Sequence, residues 1–258
     1  MASTESKPST ESKPLFVFVA SPGRCGTQFL SRLCAAAGAL LSEHEAKPTM
    51  AGAALENALS KPPGCAKSRE AKRQALRQRR EAITVAAKLR DVVDAVAGGG
   101  GRRRDVYVDA NHLFIQTFTD VVGDGTWLDV DVAVVCLRRD LASMVHSRAS
   151  LGHLGERKSG WVYDPQNPQR SGAEGPSETH APEDTEGLSA SQRSQLSALL
   201  RYHVDVEQRC LALRGHALFI DARIEAISTD AGAEALLDLI GLNFTEEARR
   251  VVARGPSH

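Results

Sequence analysis

The chain has 258 residues, enough for one α/β domain with a real core and too few for more than two small ones. Apolar residues make up 42% and charged residues 25%, a balance that excludes wholesale disorder. Basic and acidic residues tie at 32 each, so a surface built mainly to grip nucleic acid is not expected.

The elements follow in chain order. Residues 1–14 carry Ser-Thr-Glu-Ser-Lys-Pro twice, a polar stretch without the apolar segment of a secretory signal, and read as a disordered leader. Residues 15–258 read as a single domain. Leu15–Ala20 is a continuous apolar run, the mark of a strand buried on both faces. Ser21–Gly26 breaks it with one proline and two glycines. From Thr27 the period changes, and Phe29, Leu30, Leu33, Cys34 and Ala37 fall on one helical face that Gly38 ends. Strand, glycine turn and helix open a βαβ unit. Ala39–Ser42 reads as a short second strand, and residues 66–97 as a helix that is basic on one side. Asp105–Ala110 and Val130–Leu137 read as strands, with a helix over Leu141–Ala149.

Residues 152–187 are dominated by Gly, Pro, Ser, Glu and Asn and read as a long lid or acceptor loop. Helical period returns at 189–214, with Leu196, Leu199, Leu200, His203, Val204 and Leu211 aligned. Ala217–Ile220 reads as a further buried strand, and 231–241 and 245–253 as helices. Strands alternating with helices predict an α/β fold, a three-layer α/β/α sandwich around a parallel sheet. No apolar run reaches the roughly 20 residues of a membrane span. The five cysteines form no CxxC pair, which points away from a disulfide framework or a zinc site. A cytoplasmic protein without membrane, metal or nucleic-acid partners is expected; its oligomeric state is not legible.

Two junctions carry chemistry. Ser21-Pro22-Gly23-Arg24-Cys25-Gly26-Thr27-Gln28 sits where the first strand hands over to a helix, so free backbone N–H groups and the positive end of the helix dipole face an anion. Gly26 lets the backbone approach, Thr27 and Gln28 add donors, and Arg24 adds charge. A nucleotide triphosphatase loop needs a Gly-Lys pair, which the chain lacks here. The second junction follows Val132–Leu137: Arg138 and Arg139 stand at the strand end and Ser147 follows on the next helix, a forked guanidinium and a hydroxyl suited to a phosphate dianion.

At these residues the chain resembles the sulfotransferases that use 3′-phosphoadenosine 5′-phosphosulfate (PAPS). Their 5′-phosphosulfate loop runs Pro-[Lys/Arg]-Ser-Gly-Thr-Thr between strand and helix. Gly23-Arg24-Cys25-Gly26-Thr27-Gln28 is similar, with Cys25 for the serine and Gln28 for the second threonine. The family holds the 3′-phosphate with an arginine at a central strand end and a serine eight residues on, the spacing of Arg139 and Ser147. Residues 188–209 are similar to a late helix of the same group. The resemblance implies a P-loop-like sulfotransferase architecture, PAPS as sulfuryl donor, and a small-molecule or carbohydrate acceptor. It also implies that Arg24 stabilises charge on the departing phosphate and that a carboxylate or histidine takes the acceptor's proton. Glu45, 21 residues after Arg24, matches the family's glutamate base; His112, just past a strand end, is the second candidate and His44 the third. A P-loop-type kinase and a non-catalytic nucleotide-binding module are the alternatives.

Overall fold

The computed structural model describes residues 13–44, 66–97, 104–112, 114–117, 119, 129–150, 190–215 and 217–256. The predicted leader up to Ser12, the Glu45 segment and the 152–187 loop lie outside the described residues. Five strands form one sheet in the order β2-β3-β1-β4-β5. They are β1 (Leu15–Ala20), β2 (Leu41–Glu43), β3 (Val106–Asp109), β4 (Asp131–Arg138) and β5 (Leu218–Arg223). Every pairing is parallel. The helices are α1 (Thr27–Ala36), α2 (Ala66–Ala97), α3 (Phe114–Thr117), α4 (Leu141–Ser150), α5 (Ala190–Ala212), α6 (Ile224–Ile227), α7 (Asp230–Leu239) and α8 (Glu246–Arg254).

The apolar run of β1 is buried at every position, and strand alternation divides it between two cores. Leu15, Val17 and Val19 pack with Phe29, Leu30 and Leu33 of α1, Leu236 of α7 and Val252 of α8. Phe16, Phe18 and Ala20 pack on the opposite side with Leu76 and Ile83 of α2 and Tyr202 and Val206 of α5. Helices therefore cover both faces of the sheet, as the alternation of strands and helices predicts. The pairing begins before β1, because the Pro14 carbonyl accepts from the Asp131 amide at 2.9 Å.

Two expectations need correction. The buried stripe of α5 is Leu199, Tyr202, Val206 and Cys210, continuing to Leu213, whereas Val204 and Leu211 are exposed. Tyrosine and cysteine fill the core positions there, and counting aliphatic residues alone selects the neighbouring face. The last strand is half buried: Ile220 and Ala222 are covered while Leu218 is 46% exposed. It lies at the sheet edge, paired with β4 alone.

Strand order positions the site. The chain leaves β1 toward β2 on one side and leaves β4 toward β5 on the other, and β1 and β4 are neighbours. Their carboxyl ends thus flank the point where connections diverge, the place where open parallel sheets form a ligand crevice. Among the described residues, no helix is long and apolar enough to cross a membrane.

Candidate anion site at the β1 and β4 strand ends

The turn after β1 is wound by left-handed residues: Gly23 at φ 81°, Arg24 at φ 59° and Gly26 at φ 89°. The two glycines take this region without steric cost, whereas Arg24 is held there against its preference, a feature concentrated at functional sites. Both glycines also answer a close approach. A Cβ on Gly26 would lie 2.8 Å from Cγ1 of Ile224, and one on Gly23 would lie 3.3 Å from a guanidinium nitrogen of Arg148. The Gly23 amide donates to Ser21 Oγ at 3.1 Å, tightening the turn.

Helix α1 then starts without a capping side chain and without an acidic residue in its first turn. Helices α7 and α8, by contrast, are capped by Thr229 and Thr245 and carry Asp230, Glu246 and Glu247 in their first turns. Among the described residues, the start of α1 thus has neither a capping side chain nor a first-turn carboxylate to complement its amides.

The two junctions meet. Arg24 Nε donates to Ser147 Oγ at 3.2 Å, across 123 positions of sequence. Arg139 Nη1 donates to the Arg24 carbonyl at 3.2 Å. Arg138 faces elsewhere and pairs with Glu207 at 2.6 Å and Asp221 at 3.1 Å. Of the two adjacent arginines, Arg139 enters the crevice. Arg24 and Arg139 both line two cavities. One, of about 270 Å³, is also bordered by Thr27, Gln28, His44 and His112. The other, of about 770 Å³, is bordered by Ser143, His146, Ser147 and Ser150.

Cys25 does not face the crevice. It is fully buried, its thiol donates to the Gly23 carbonyl at 3.4 Å, and burial pushes its pKa up to about 12, so it is an inert core thiol. Thr27 Oγ1 and His44 Nε2 are 3.0 Å apart, joining the start of α1 to the end of β2. His112 is buried, and desolvation, then Arg148 and His44, push its pKa down to about 4, so the ring is neutral. Glu45 lies outside the described residues, one position after His44.

Several polar crevice residues were not singled out from the sequence. Ser143, His146 and Ser150 line it from α4, and Glu225, at the start of α6, accepts from the Asp140 amide at 3.1 Å. Arg148 is a further omission. Met144 and Arg148, four residues apart, are both fully buried, and an arginine on a core-facing helical position was the available signal.

Fold and site together define an all-parallel α/β protein with a cationic crevice at its topological switch point. No protein-family model and no curated protein matches the chain.

Proposed function

We propose that the protein is a sulfotransferase that takes a sulfuryl group from PAPS and gives it to a hydroxyl or amine of a small or carbohydrate acceptor. The observation that carries this reading is the meeting of two anion-binding motifs, Arg24 with Ser147 and Arg139 with the Arg24 carbonyl, in one crevice. A molecule with anionic groups at two ends, such as a 3′,5′-substituted nucleotide, suits such a pair. The uncapped start of α1 and the lack of an acidic residue in its first turn also fit an anionic group there.

PAPS, when bound, supplies the activated sulfuryl group. The amides of the Gly23–Gln28 turn and the Arg24 guanidinium hold its phosphosulfate end, and preorganised donors of this kind stabilise charge that grows on a leaving phosphate. Arg139 and Ser147 hold the 3′-phosphate. His112 borders the smaller cavity and, being neutral, can accept a proton at its imidazole. An anion on the loop offsets the cationic field of Arg148 and raises the basicity of His112 from its low value. Glu45, next to His44, is the competing base.

Thermal shift tests the reading. The product nucleotide 3′-phosphoadenosine 5′-phosphate should raise Tm, and ATP with magnesium should not. Arg24→Ala and Arg139→Ala should each abolish the shift while Arg138→Ala keeps it. A shift from ATP with magnesium alone would replace the sulfotransferase by a kinase-like enzyme. In a transfer assay over an acceptor panel, loss of the proper base should lower kcat by about 10²–10⁴-fold, so Glu45→Gln and His112→Asn identify it.

A further inference from the structure

Among the described residues two arginines are buried, and they differ in one respect. Arg79 lies 5% exposed and is paired with the carboxylate of Asp109. Arg148 has no exposed surface, and its only hydrogen bond among the described residues is donated by Nη2 to the Pro22 carbonyl, at 2.7 Å. Its Nε and Nη1 have no hydrogen-bond partner among the described residues. The groups whose charges weigh most on it are Tyr202, Cys25 and Arg24, none of them a carboxylate. A buried guanidinium without a counter-charge is costly, and a chain of this size would ordinarily replace it with an apolar residue.

Its position gives it a use. Arg148 follows Ser147 on α4 and lies under the turn after β1, bonded to Pro22 and so close to Gly23 that a side chain there would press on it. It lines neither cavity, so it acts on a ligand through the loop and through its field. We infer that Arg148 is a positioning residue for the bound anion: a buried cation whose counter-charge is the phosphoryl or sulfuryl group that the Gly23–Gln28 turn holds. Among the described residues the charge has no carboxylate partner, and binding neutralises it, so anion affinity is gained at the expense of stability without ligand. This deepens the proposed function and rests on its reading of the turn as an anion site.

The test compares the full chain with Arg148→Met and Arg148→Lys, each titrated calorimetrically with 3′-phosphoadenosine 5′-phosphate and with inorganic pyrophosphate. Arg148→Met, which removes the charge and keeps the length, should raise Tm without ligand and weaken both anions at least about tenfold, with the loss persisting at high salt because the charge is buried. Arg148→Lys keeps the charge and should recover most of the affinity. A merely structural strut to Pro22 predicts the reverse for Arg148→Met, a lowered Tm with unchanged affinity, and that result overturns the inference. So does failure of Arg148→Met to fold, or weakened binding that lysine does not restore. If the unaltered chain binds pyrophosphate but not the nucleotide, the sulfotransferase reading fails while the role of Arg148 stands or falls on the pyrophosphate series. If the unaltered chain binds neither, both fail.

Discussion

At the scale of single residues, neighbours explain the turn after β1 better than charge does. Gly26 is required twice, by its φ of 89° and by Ile224, which occupies the space a side chain would take. Alanine there must adopt a left-handed backbone and push Ile224 aside, two effects worth about 1–2 and 1–3 kcal/mol. Gly26→Ala should therefore lower the urea midpoint, and Ile224→Ala in the same chain should recover the packing part and leave the backbone part. Cys25 teaches a related lesson. A position between Arg24 and Gly26 in an anion-facing turn invites a polar reading, yet the thiol is turned into the core and bonded to Gly23.

Among the elements, α2 owes its place to a mixed stripe. Leu76 and Ile83 bury apolar surface on the sheet, and between them Arg79 reaches Asp109 at the end of β3. Burial raises the Asp109 pKa while Arg79 pulls it down, so the carboxylate depends on its partner. Removing one side of such a pair strands the other. Arg79→Met should destabilise the protein by about 3–5 kcal/mol in chemical denaturation, and the double variant Arg79→Met, Asp109→Leu should regain most of that loss. Helix α4 uses the opposite device, burying Arg148 without a carboxylate among the described residues, and on the inference above the contrast separates a structural arginine from one held for a ligand.

For the molecule as a whole, the crevice makes stability depend on pH. His112 titrates near 4 in the folded protein, against an ordinary value of 6.5, because burial, then the guanidinium of Arg148 and the neighbouring His44, disfavour its charged form. The folded value lies below the unfolded one, so the neutral ring contributes stability above pH 6.5. That contribution, about 3 kcal/mol, is lost as pH falls from about 6.5 toward 4. Asp109 works the other way, since a raised carboxyl pKa favours the fold as acid protonates it. Unfolding midpoints measured from pH 7 to 4 should fall in the unaltered chain and stay flatter in His112→Asn; equal slopes would show that His112 does not govern the acid limb.

The strands, the longer helices and the two glycine- and arginine-marked junctions were legible in the sequence, because period changes, glycine turns and β-strand runs are dictated by residues close in the chain; the one-turn helices Phe114–Thr117 and Ile224–Ile227 were not. Leu15–Ala20 announces a strand whatever it pairs with, and Gly23 and Gly26 announce a turn whatever lies beneath. The sequence also supplied the candidate pair Arg139 and Ser147. What tertiary structure alone decided is direction and company: that Arg139 and not Arg138 faces the crevice, that Cys25 is inert, that Tyr202 and Cys210 rather than Val204 and Leu211 face the core, and that Arg148 lies under the loop. These depend on β4 being laid beside β1, and strand order is set by the packing of both sheet faces at once, which no local window of sequence contains.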